Sequence, residues 1–104
     1  MLELTNNTTT IINMERFNLL RIFEILPING RKSFGGKCKV LEDKNHNFYL
    51  LSYETIVAYF DGKIHKVYSE YTHTTQCHIN SFLHFVGICE KGKKYWDSLP
   101  LETL

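Results

Sequence analysis

The sequence predicts an α+β fold: an antiparallel β-sheet of four to five strands with one main α-helix packed on one face. Two runs, Phe48 to Tyr53 and Thr55 to Phe60, are rich in aromatic and β-branched residues and are short enough to be strands. Asp61-Gly62 follows at once, a dipeptide that suits a tight two-residue hairpin of type I′. The period then changes, with Ile79, Phe82, Leu83 and Val86 at the i, i+3, i+4, i+7 spacing of a helix that buries one stripe.

Residues 1–10 are mostly Thr and Asn without an apolar period, and a mobile terminus is expected there. From Ile11 to Phe17 helix and strand remain open, whereas Arg21 to Leu26 alternates as a strand does, so a strand is expected over Leu20 to Leu26. Pro27 and Asn29-Gly30 end it, because proline removes a donor and Asn-Gly accepts positive φ. Gly35-Gly36 opens a second strand in which Cys38 and Val40 face inward while Lys37 and Lys39 share the solvent side. Asp43 to Asn47 is a polar turn, and Lys63 to Tyr68 is the strand that returns after Asp61-Gly62. No helix-length crossover separates these strands, which makes an antiparallel meander the natural connection.

A helix from Thr75 to Val86 is expected, capped by Thr74 or Thr75 and stopped by Gly87, with Cys77, Ser81 and His84 on the side away from the apolar stripe. Lys91 to Lys94 reads as a solvated loop and Tyr95 to Pro100 as a turn whose Trp96 anchors the tail. Residues 1–104 form one domain in this reading, with a core from about 20 to 87 and a tail from 88 to 104 packed through Trp96.

A net charge of +1 offers no global attraction to nucleic acid or to acidic membranes, so any electrostatic partner must meet a local patch. The longest apolar runs are broken by charges and too short to span a bilayer, and residues 1–10 lack the pattern of a secretory leader. Three cysteines without a CxxC pair suit a reducing compartment, and a cytoplasmic protein is expected.

Few residues are patterned for chemistry. His73, Cys77 and His78 are the densest group of metal-ligand residue types, yet a fourth ligand at a standard spacing is missing; the reading is no metal and no cofactor. There is no GxSxG elbow, no phosphate loop and no dinucleotide fingerprint, so no catalytic residue is assigned and the chain is read as a binding protein, not an enzyme. His78 is expected to be structural, its ring bonded to the Tyr71 to Thr75 turn.

Two features could meet a partner. Arg31, Lys32, Lys37, Lys39 and Lys44 stand against Glu42 and Asp43, a local excess of three positive charges that could face phosphates or an acidic protein. Tyr49, Tyr53, Tyr59, Tyr68 and Tyr71 must lie partly on the sheet face that a single helix leaves uncovered, where rings serve as protein anchors or stack bases. Arg31, Lys32, Lys37, Lys39, Tyr53 and Tyr59 are the resulting candidate partner-binding residues.

The segments Asn29-Gly30-Arg31-Lys32-Ser33-Phe34-Gly35-Gly36-Lys37, Leu51-Ser52-Tyr53-Glu54-Thr55-Ile56-Val57-Ala58 and Tyr71-Thr72-His73-Thr74-Thr75, with His78-Ile79 and Phe82-Leu83, resemble a small uncharacterised domain family over about Leu20 to Gly87. That family is common in phages and mobile elements of low-GC Gram-positive bacteria. The resemblance implies a phage or mobile-element origin and a stoichiometric inhibitor of a host protein, such as an anti-CRISPR acting on a CRISPR-Cas nuclease in the bacterial cytoplasm. A nucleic-acid-binding accessory protein ranks second and a small enzyme third; stoichiometry and oligomeric state are left open.

Overall fold

The structure, a computed structural model, describes residues 18–69, 72–90 and 92–104. Among these residues five strands follow one another, β1 (Leu19–Glu24), β2 (Cys38–Asp43), β3 (Phe48–Ser52), β4 (Thr55–Phe60) and β5 (Ile64–Lys66), then helix α1 (His73–Phe85) and a short helix α2 (Lys93–Asp97). The sheet order is β1-β2-β3-β4-β5 with every neighbouring pair antiparallel, the meander expected of strands joined by short turns. The expectations for residues 1–10 and for Ile11 to Phe17 fall outside the described residues, as does Tyr71.

Helix α1 and the sheet enclose the larger core. Val40, Leu50 and Ala58 from three adjacent strands meet Ile79, Phe82 and Leu83, all fully buried. A β-bulge shapes this side: Leu50 pairs with Ala58 and Leu51 with Ile56, so Val57 is the extra residue on β4. Val57 and Ala58 thereby both join the helix-side core, while Ile56 faces the other way. The opposite sheet face carries a second cluster of Leu41, Leu51, Ile56 and Val67, with Leu19, Ile22, Tyr49, Tyr59 and Leu104 packed against it. Leu41 and Ile56 are fully buried there, so this face is not the wet surface that a one-helix architecture suggested.

Helix α1 starts earlier than expected. Thr72, not Thr74 or Thr75, is the N-cap, its hydroxyl accepting from the Thr75 amide at 3.3 Å. Three threonines stand at 72, 74 and 75, and extended backbone at Thr72 (φ −90°, ψ 176°) selects that one. The exit is as read: Gly87 at φ 86° lets its amide donate to His84 O at 3.1 Å and the Ile88 amide to Leu83 O at 2.8 Å, a Schellman closure. Ser81 is buried, not solvent-facing, because the 25–37 loop crosses the helix and the Ile28 amide donates to Ser81 Oγ at 3.3 Å.

The hairpin at Asp61-Gly62 is real, but its turn is a three-residue loop. Phe60 pairs with Ile64, and only Gly62 has positive φ (108°), whereas a type I′ turn needs two such residues. Asp61 Oδ1 accepts from the Lys63 amide at 3.3 Å and draws the chain into the wider loop. Lys93 and Lys94 likewise belong to helix α2 and not to a loop, since Asn80 Oδ1 accepts from the Gly92 amide at 2.8 Å and fixes the entry. Trp96 on α2 is fully buried in the helix-side core, and its carbonyl accepts from Lys66 Nζ at 3.1 Å.

Candidate functional site

The residues that sequence reading singled out separate into two groups on the fold. One lies at the pole where the 25–37 loop, the β3–β4 turn and the start of α1 meet. Ser52 ends β3 and Thr55 begins β4, leaving Tyr53 and Glu54 as a two-residue connection. Tyr53 takes φ 57°, a left-handed conformation that a bulky side chain rarely adopts. Its amide donates to Lys37 O at 2.7 Å, which holds the turn in place. The loop supplies Lys37 by turning at Gly35-Gly36, successive residues at φ 63° and 78° that only glycine adopts without strain.

Beneath Tyr53 lies His78, fully buried. Its Nδ1 shares a 2.7 Å hydrogen bond with Ser52 Oγ, and Ser52 in turn donates to Thr75 Oγ1 at 3.4 Å. The sequence expectation placed the His78 partner in the Tyr71 to Thr75 turn; the bond instead crosses to the sheet. Phe34 meets the imidazole edge-on at 4.5 Å and Tyr53 lies 5.5 Å away, so two rings cover it. The Arg31 guanidinium sits 5.9 Å over Phe34. Burial, aided by the Arg31 charge, pushes His78 down to about 4, so the ring is neutral at pH 7.

The Ser52–His78 pair has the look of a nucleophile and its base, and the chemistry argues otherwise. A base with a pKa near 4 has little drive to take a serine proton, and Ser52 is buried. Among the described residues His78 Nε2 has no hydrogen-bond partner, so none of their carboxylates orients the ring as a triad requires. His73 and Cys77, the other members of the suspected metal group, remain on the helix exterior 3.8 Å apart, while His78 turns inward. Among the described residues no three His, Cys, Asp or Glu side chains are placed to share a metal ion.

The pole also presents side chains to solvent. Arg31, Lys32 and Lys37 are exposed and Tyr53 is 48% exposed, although its underside packs on His78. Beside Tyr53 a shallow cleft of about 260 Å³ is lined by Ser52, Thr55, Thr72, Thr75 and Tyr68.

The second group is Lys39 and Tyr59. Lys39 lies within β2 opposite Glu24 in the β1–β2 register, half-buried and with a carboxylate-bearing neighbour. Tyr59 is the middle of a three-ring ladder across β3, β4 and β5: Tyr49 and Tyr59 stack at 5.9 Å, and Tyr59 and His65 at 4.3 Å, each pair directly opposite in register. Carboxylates surround this ladder. Asp43 accepts from Tyr49 OH at 3.0 Å, and His65 lies between Asp61 at 2.8 Å and Glu102 at 2.9 Å. Burial comes first in raising the Tyr59 pKa, followed by the charges of Asp61 and Glu102. A phosphate backbone laid along these rings would meet three carboxylates.

The sequence did not announce Phe34, Ser52 or His78 as the frame beneath the pole, because their contacts link residues far apart in the chain. Sequence reading places Gly35-Gly36 only at the opening of the second strand and takes His78 only as a structural residue bonded to the Tyr71 to Thr75 turn.

A family model described as "Family of unknown function (DUF8033)" matches residues 23–98, which include every residue named at the pole. No curated protein and no solved structure matches the chain. No helix among the described residues is long and apolar enough to cross a membrane.

Proposed function

We propose that this chain, which belongs to the DUF8033 family of unknown function, is a binding module that engages an acidic protein surface through the pole formed by Arg31, Lys32, Lys37 and Tyr53. The observation that carries the reading is the setting of Tyr53. A half-exposed ring is held in a left-handed turn by the Lys37 carbonyl and backed by His78. Such a ring loses little freedom on binding, and rigid tyrosines flanked by cations are typical anchors of protein interfaces. Three exposed cations beside it match a partner's carboxylates and steer association.

The carboxylates around Tyr49, Tyr59 and His65 disfavour the reading in which those rings stack bases, so direct nucleic-acid binding stands second. Catalysis stands third, given the weak basicity of His78. The resemblance to phage and mobile-element proteins narrows the partner to host machinery, and a CRISPR-Cas nuclease, inhibited stoichiometrically in the bacterial cytoplasm, is the first to try.

The test is capture from a lysate of a low-GC Gram-positive host, with and without nuclease digestion, using the wild-type chain and the Arg31→Glu/Lys37→Glu variant. A protein retained after digestion and lost with the variant supports the reading. Retention that disappears on digestion would overturn it in favour of nucleic acid.

A further inference from the structure

The chain segment after α2 returns to the sheet beside β5. Leu101 forms a parallel bridge with Lys66, and the Glu102 amide donates to Lys66 O at 2.7 Å. Leu104 reaches the second apolar cluster of Leu41, Leu51, Ile56 and Val67. Between this segment and residues 67–69 runs a cleft of about 340 Å³, so the segment is seated along one line and not packed on all sides.

One side-chain contact reinforces that line. His65 on β5 has Nδ1 at 2.9 Å from Glu102 Oε2 and Nε2 at 2.8 Å from Asp61 Oδ1. Only the imidazolium carries an N–H on both nitrogens, so only the protonated ring can donate to both carboxylates. A neutral ring keeps one bond and turns a lone pair toward the other carboxylate. Among the described residues Asp61 and Glu102 are the charges that act on the ring, while Tyr59 stacks on its face at 4.3 Å, with Tyr49 beyond it. Lys66, the next residue on β5, sends its ammonium to the Trp96 carbonyl.

We propose that His65 is a proton-operated latch: its charged form clamps Glu102 to the Asp61 turn and docks residues 101–104 on β5, and loss of the proton frees that segment. Burial acts first and lowers the His65 pKa, but the bonds to Asp61 and Glu102 and their charges outweigh it, and the net shift is upward from 6.5. The latch is therefore closed below the ordinary histidine range and opens as pH rises through the raised value. Both carboxylates are 39–41% exposed at their side chains, which lets solvent reach the ring as it titrates.

Amide hydrogen exchange by NMR on the full chain tests this, with the His65 ring shifts followed in the same samples and rates corrected for intrinsic pH dependence. Between about pH 6 and about pH 9, the Glu102 amide should lose about tenfold of its protection at a midpoint matching the His65 titration, while Leu50 in β3 stays protected. Asp61→Asn should move both midpoints to lower pH together. Glu102→Gln should leave the Glu102-position amide weakly protected at every pH. Constant Glu102 protection across the His65 titration in the wild type would overturn the proposal, as would a midpoint that Asp61→Asn leaves in place.

Discussion

The Tyr53 amide donates to the Lys37 carbonyl at 2.7 Å while Tyr53 itself holds φ 57°, so the loop before β2 and the turn after β3 fix each other. This bond places a strained aromatic residue next to a cation at the exposed pole. Strain of this kind persists only where the surroundings over-determine it, and it concentrates at functional positions.

The strain can be measured by comparing two truncations. Tyr53→Ala and Tyr53→Gly both remove the half-exposed ring, but only glycine takes φ 57° without a Cβ penalty. Tyr53→Gly is expected to be the more stable of the two by about 1 kcal/mol in urea denaturation, the reverse of their order in a regular strand. Equal stabilities would mean that the turn relaxes when the ring is removed.

A second prediction concerns the buried Ser52–His78 bond. Ser52→Ala leaves His78 Nδ1 without its partner in a dry site, and a loss of about 1–3 kcal/mol is expected at pH 7. Replacing both residues, as Ser52→Ala with His78→Phe, should cost less than the two single losses added together. Additive losses would show that the 2.7 Å contact contributes nothing.

The pH dependence on the acid side follows from the same histidine. A depressed folded pKa means that the unfolded chain takes up the proton first, so stability from neutral His78 is fully present above 6.5 and is lost as pH falls toward about 4. In the Ser52→Ala/His78→Phe variant that part of the pH dependence should be absent. Ring titrations by NMR should separate the two buried-side histidines, with His78 near 4 and His65 above 6.5.

Much of this arrangement was legible in the residues themselves. The apolar stripe of α1 and the strand runs around Asp61-Gly62 follow from local periodicity, which each segment carries on its own. What was not legible depends on contacts between distant segments. The Ser52–His78 bond joins residues 26 apart, and Ser81 is buried by a loop that has no period to read. The type of the Asp61 turn was missed because an aspartate side chain can either tolerate a tight turn or cap a wider one, and here it caps. Six candidate residues looked like one surface because Lys37 and Lys39 alternate in step. Lys37 precedes the strand at the pole, while Lys39 lies within β2 opposite Glu24.

Trp96 makes a further expectation about the tail. Fully buried and the only tryptophan, it joins α2 to the helix-side core. Trp96→Ala should cost about 3–5 kcal/mol, a large part of the stability of so small a domain, and is expected to lower the thermal midpoint sharply by circular dichroism. A midpoint within a few degrees of wild type would place the tail outside the cooperative unit.

In the proposed binding mode the partner is gripped at the Tyr53 pole and not on the sheet face that carries Tyr59. Two tyrosines of one chain, one in each place, allow a direct contrast by surface plasmon resonance against the captured partner. Tyr53→Ala is expected to raise Kd about thirtyfold, mainly through faster dissociation, as truncation of an anchoring ring worth about 2 kcal/mol does. Tyr59→Ala is expected to stay within about threefold of wild type. Strong loss with Tyr59→Ala beside an unchanged Tyr53→Ala would contradict the account and move the binding surface to the ladder of Tyr49, Tyr59 and His65.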